Sequence, residues 1–124
     1  MGTGRTQASR HTVPLLPGEL ATAKLVCNHI RNGRAYDGSL YVTTQRLIYV
    51  PWPAAEVRGA TPFAIALAEV SGAEVAPRGK TFRDGAWRRR LRIAKSSGEV
   101  ELFVVWRAGK AAGLIERVRQ GLPG

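Results

Sequence analysis

The feature that most constrains this chain is the stretch at residues 37–51, Asp-Gly-Ser-Leu-Tyr-Val-Thr-Thr-Gln-Arg-Leu-Ile-Tyr-Val-Pro. Two runs rich in β-branched and aromatic side chains flank the polar pair Thr44 and Gln45, a spacing that forces an antiparallel hairpin. Leu40 and Val42 share one face of the first run, and Ser39, Tyr41 and Thr43 share the other. That alternation predicts a half-buried strand followed by its neighbour. No residue of the hairpin carries chemistry, so the stretch describes a folded platform.

The remaining elements arrange themselves around it. Residues 1–13 are small, polar and basic without apolar periodicity, and they read as a flexible tail. Met1-Gly2-Thr3-Gly4-Arg5-Thr6 fits the N-myristoylation pattern, which chance also produces. Structure is expected from the two prolines, Pro14 and Pro17, that bracket Leu15 and Leu16, giving one domain over residues 14–122. Residues 20–30 are a first strand, with Leu25, Cys27 and His29 on one face and Val26, Asn28 and Ile30 on the other. Asn32-Gly33 then supplies the strongest short hairpin signal.

After the central hairpin, Pro51-Trp52-Pro53 removes backbone donors and ends the strand, and a loop runs to Pro62. Phe63, Ile65 and Leu67 alternate with alanines as the inward face of a fourth strand. Residues 74–77 are a weak fifth strand, residues 87–95 a sixth and residues 100–106 a seventh, with Ser96-Ser97-Gly98-Glu99 as the turn between the last two. From Ala108 the period changes: Ala111, Leu114, Ile115, Val118 and Leu122 recur at helical spacing, and Gly121 and Pro123 supply the stop.

A chain of 124 residues is long enough to bury roughly 65% of its unfolded surface without staples. Its single cysteine, Cys27, cannot form an internal disulfide, and one thiol with two histidines is too few for a zinc cage. No apolar run reaches the ~20 residues of a membrane span, and nothing at the start reads as a secretory signal, so a cytoplasmic location is expected. Charge is the outlying quantity. There are 19 Lys and Arg against 9 Asp and Glu, a formal net charge of +10, and 15 of the 19 are Arg. This favours an anionic partner, although biased Ala/Gly/Arg composition produces the same excess.

In order along the chain, Pro17-Gly18-Glu19, then Gly38, Leu40, Thr43, Arg46, Leu47 and Ile48, then Phe63, Ile65, Leu67 and Val70, then Gly98, Leu102 and Phe103 resemble the motifs of the GRAM and bacterial PH-like families. The resemblance covers residues 15–120. It implies a mainly β fold, a PH-like barrel of seven antiparallel strands in two roughly orthogonal sheets, plugged by one C-terminal helix. It also implies a non-enzymatic module that binds lipids, proteins or copies of itself. In lipid-binding relatives the anion site lies in the loop between the first two strands, which here carries Arg31 and Arg34, with Lys24 behind them.

A second basic group, Lys80, Arg88, Arg90 and Arg92, spans the connection into the sixth strand and that strand itself, where Arg88, Arg90 and Arg92 share one face. Same-face guanidiniums about 7 Å apart match phosphate spacing; a solvated, aggregation-resistant face is the plainer reading. Trp87 beside the stripe and Trp52 between its two prolines are candidate exposed aromatics, and Trp106 is expected in the core. Cys27 and His29 share a face but have no third ligand or orienting acid in the sequence, which points to packing. No carboxylate pair, phosphate cradle or zincin motif is present, so no catalytic residue, metal, cofactor or small-molecule substrate is expected. The expected partners are an anionic lipid surface at the inner membrane face or an acidic protein. Nucleic acid gripped by the arginine strand, or self-association through an exposed edge, are the other readings.

Overall fold

The computed structural model describes residues 5–7, 12–76 and 90–121. Arg5–Gln7 (β1) and Thr12–Pro14 (β2) pair as a small antiparallel ribbon. The body is one antiparallel sheet of seven strands: Ala21–Arg31 (β3), Arg34–Thr43 (β4), Arg46–Pro51 (β5), Phe63–Ala66 (β6), Val70–Ala76 (β7), Arg90–Lys95 (β8) and Val100–Val105 (β9). Their order is β6-β5-β4-β3-β9-β8-β7. Helix α1 (Pro53–Val57) lies between β5 and β6, a single 3-10 turn (Leu67–Glu69) joins β6 to β7, and helix α2 (Ala108–Arg119) ends the described chain. Among the described residues no helix is long and apolar enough to cross a membrane.

Seven antiparallel strands and a terminal helix are as expected, but the arrangement is a single curled sheet and not a closed barrel of two sheets. Hydrogen bonding runs unbroken from β6 to β7, and these two end strands are not paired with each other. The 3-10 turn explains the curl. The chain leaves one edge of the sheet at Ala66 and re-enters at the other edge at Val70, and four virtual bonds span at most about 15 Å. The two edges must therefore approach at that corner, where Leu67 N–H donates to Gln45 O at 2.9 Å and Ser96 N–H to Glu69 O at 2.8 Å. α2 closes the gap, packing mainly on β7 and β8, and its Glu116 accepts the Ala73 N–H at 2.7 Å.

Inside the curl Leu40, Val42, Leu47, Tyr49, Leu91, Ile93, Phe103 and Ile115 form the main core. The expected inward face of β6, with Phe63 and Ile65, is the observed one, and Ala111 and Ile115 of the helical stripe are buried; on β3 the structure selects the Cys27 and His29 face, and on β8 the Leu91 and Ile93 face. β4 and β5 differ: instead of being half-buried, every residue from Gly38 to Thr43 is buried, because Tyr41, Ile48 and Val50 make a second apolar cluster on the opposite face. Gly38 is required by packing. A Cβ there would stand 2.6 Å from Tyr49 Cε1 and 2.7 Å from Val50 O, and the Tyr49 hydroxyl crosses this gap to donate to Tyr36 O at 2.9 Å.

One polar network ties the lead-in of β3 to the β4–β5 turn. The Glu19 carboxylate accepts Arg46 Nε at 2.9 Å and Arg46 Nη2 at 3.1 Å, the Leu16 N–H at 2.8 Å, and the Thr43 hydroxyl. Burial alone would raise the carboxyl's pKa, but Arg46 and the other donors outweigh it and hold it at about 2. Glu19, Thr43 and Arg46, three of the residues that carry the PH-like resemblance, therefore meet in space as one clamp.

Further differences follow from tertiary context. β7 begins at Val70, earlier than expected, because a register shift between Val70 and Gly72 lets the strand pair with β8 from Lys95 onward. The segment expected as a loop after Pro53 contains α1, for which Pro53 supplies the first-turn proline. Trp106 is not in the core and is 86% exposed. β9 alternates Phe103 and Val105 inward, and its last partner is Cys27 opposite Val105; the next residue falls past the ladder, before the chain turns through Arg107 at φ 58°.

Candidate anion-binding site

The β3–β4 hairpin turns through Asn32 (φ 52°) and Gly33 (φ 74°), the left-handed pair that a two-residue turn of this twist needs. Its tightness places Arg31 and Arg34 directly opposite each other. The third member of the site arrives from a distant segment. Tyr36, on β4, is buried against Ala55 and Ala60 of the α1 segment, and that packing swings Arg58, the residue after α1, over its ring. The guanidinium carbons of Arg58 and Arg31 lie 5.1 Å and 5.3 Å from the Tyr36 centroid, within cation–π range. Arg31 Nη2 also donates to Gly59 O at 3.3 Å. Arg31 and Arg58 are thus each positioned by the Tyr36 ring and a backbone carbonyl, Gly59 O and Ala35 O respectively. Among the described residues none of Arg31, Arg34 and Arg58 has a carboxylate within 4.0 Å.

The electrostatics register this concentration of positive charge. Burial opposes ionisation of Tyr36, but Arg34 and Arg31 near its hydroxyl outweigh that effect and lower its pKa below the ordinary phenol value. Beside the arginines opens a cavity of about 220 Å³ that His29, Tyr49, Phe63 and Glu101 line with Arg31 and Tyr36, smaller than the usual small-molecule site. Its one carboxylate is occupied: Glu101 meets His29 Nε2 at 2.8 Å and Lys95 Nζ at 3.2 Å. The histidine that the sequence leaves without an orienting acid therefore has one, contributed from β9. Its ring packs 4.9–5.1 Å from Tyr49, Phe63 and Phe103, as part of an aromatic cluster.

The other predicted site residues fall into separate groups. Arg90 and Arg92 share the face of β8 opposite Leu91 and Ile93, as expected. Arg92 stands in register with Leu102, which is itself opposite Ile30, so it lies two strands, about 10 Å, along the sheet from the end of β3. It is ion-paired to Glu74 at 3.3 Å, a partner that the sequence reading of a basic stripe did not include. Lys80, Trp87 and Arg88 lie outside the described residues. Trp52 is half-buried and not a free aromatic, because its indole Nε1 donates to Ser39 Oγ at 3.2 Å. Arg58 and Tyr36 were missed in the sequence. The available signal was Pro53-Ala54-Ala55-Glu56, a first-turn proline followed by helix formers.

No known family profile matches this sequence, and no curated protein matches it. Solved structures do. The C-terminal domain of an unknown protein from Leishmania infantum superposes with a TM-score of 0.66 at 14% identity, covering 84% of this chain and 87% of that one. The Vps36 N-terminal PH domain superposes with a TM-score of 0.62 at 16% identity, covering 86% of this chain and 83% of that one. At these identities the likeness is one of fold, and the fold is PH-like.

Proposed function

We propose that this chain is a non-enzymatic PH-like binding module, of the GRAM and bacterial PH-like kind its motifs resemble, that docks peripherally on an anionic membrane surface at the cytoplasmic face. The observation that carries this reading is the group of three guanidiniums, Arg31, Arg34 and Arg58, held at one end of the sheet with no carboxylate within 4.0 Å among the described residues. Arginine forks donate to phosphate oxygens two at a time. Near an anionic leaflet each such charge contributes about 1 kcal/mol, weakened by salt, and the net charge of +10 adds long-range attraction.

Cosedimentation with phosphatidylserine-containing vesicles tests this. The wild type is expected to pellet at low salt and release as salt rises, and Arg31→Glu/Arg34→Glu/Arg58→Glu is expected to remain in the supernatant. Equal pelleting of the two proteins would refute the site. Binding to oligonucleotides with vesicles ignored would refute the membrane reading in favour of nucleic acid.

A further inference from the structure

A second surface lies away from the arginines of the hairpin. β3 has eleven residues and β9 only six, and the two pair only from Cys27 to Ile30. Over residues 21–26, β3 is bonded to β4 on one side, and among the described residues no strand pairs with its other side. Alternate residues of an antiparallel strand aim both N–H and C=O to the same side, so about three residues offer their backbone groups to this gap. The gap is a groove of about 490 Å³ between β3 and the flank of α2, a volume ordinary for a ligand cleft.

Its composition says what fits. Leu25, Ala111 and Leu114 give it an apolar floor, and Trp106 and Arg107, just before α2, line it together with Lys110 and Arg117 of α2. Trp106 is 86% exposed, a rigid aromatic of the kind that anchors protein interfaces. Among the described residues the three cations have no carboxylate within 4.0 Å. A second copy of this chain would bring another +10 of charge to a basic groove, so charge complementarity disfavours it as the occupant and favours an acidic one.

We infer that residues 21–26 and α2 form a strand-addition groove for an extended acidic peptide of a partner protein, whose backbone continues the sheet beyond β3 while its carboxylates meet Arg107, Lys110 and Arg117. The bound segment lies between a strand edge, which reads backbone, and a helix flank, which reads charge. Six residues of strand give a contact about 20 Å long.

The test uses a capped peptide of alternating glutamate and valine, its lysine-for-glutamate counterpart, and a version N-methylated at alternate positions. The glutamate peptide is expected to slow amide exchange at residues 21–26 and to shift Trp106 fluorescence. The lysine and N-methylated peptides are expected not to bind. Lys110→Glu/Arg117→Glu, both on the solvent-facing flank, is expected to keep its melting temperature and to weaken the glutamate peptide about tenfold or more. Failure of the glutamate peptide to bind, equal binding of the N-methylated peptide, or perturbations confined to Arg31, Arg34 and Arg58 would each overturn the inference. So would a dimer in light scattering whose contact protects residues 21–26. Loss of vesicle binding in Lys110→Glu/Arg117→Glu with peptide binding intact would reassign the surface to the membrane.

Discussion

Replacing Glu19 by glutamine isolates the clamp between the start of β3 and the β4–β5 turn, since the amide keeps the shape and removes the charge. The Glu19 side chain is 0% exposed and Arg46 is 21% exposed, so Arg46 has partial access to solvent while its acceptor has none. A carboxyl lowered from 4.5 to about 2 corresponds to at most about 3 kcal/mol at neutral pH. Solvent around Arg46 reduces that to about 2 kcal/mol. For a chain of this length, Glu19→Gln is then expected to lower Tm by about 6–10 °C at pH 7.

The sign of the pH dependence follows from the depressed pKa. The stabilisation is complete above the unfolded-state value of 4.5 and is lost as pH falls toward the folded-state value of about 2. Urea unfolding followed by far-ultraviolet circular dichroism, on both proteins between pH 7 and pH 2, measures the difference. Other acids titrate in both chains and cancel in that difference. The gap is expected to be constant down to about pH 5 and to close below it. A gap that stays constant to pH 2, or one that widens on acidification, would refute an ionised Glu19 as the source of the clamp.

Gly38→Ala is expected to cost about 2 kcal/mol or more in urea unfolding, because its methyl would collide with the Tyr49 ring and a backbone oxygen. Cys27, whose thiol burial pushes up to about 12 with a further increment from Asp37, should resist a thiol reagent in the native protein at pH 8 and react only on unfolding. Trp106→Ala should leave stability within about 0.5 kcal/mol of wild type, and the wild type's tryptophan emission should lose an iodide-accessible component in that variant. A larger destabilisation would place the indole in the core.

Much of the architecture was legible along the chain because it is written in local periods and turns. Asn32-Gly33 allows the positive φ values of its hairpin, and the alternation of Phe63 with Ile65 and of Leu91 with Ile93 states which side of each strand is apolar. The change of period after Ala108 marks the helix. The charges of Arg31 and Arg34 were visible for the same reason, since a two-residue turn brings its flanks together without outside help. Arg58 was not visible: it joins the site only because Tyr36 packs beneath a helix some twenty residues further on. Arg92 of the basic stripe on β8 meets Glu74 in the same way, through a neighbour chosen by the sheet.

Alternation along a strand fixes a side chain's direction relative to its own backbone; it does not say which strand lies alongside, or where that strand stops. Hence Trp106 stands in solvent, out of phase with the inward Phe103 and Val105 and past the end of the ladder, and half of β3 keeps an open edge because β9 stops opposite Cys27. Glu19, Thr43 and Arg46 could be recognised as motif letters in the sequence. Their meeting in one clamp, and the single curled sheet whose edges a 3-10 turn draws together, were decided by contacts between segments far apart in the chain, where sheet register and burial settle what no local pattern encodes.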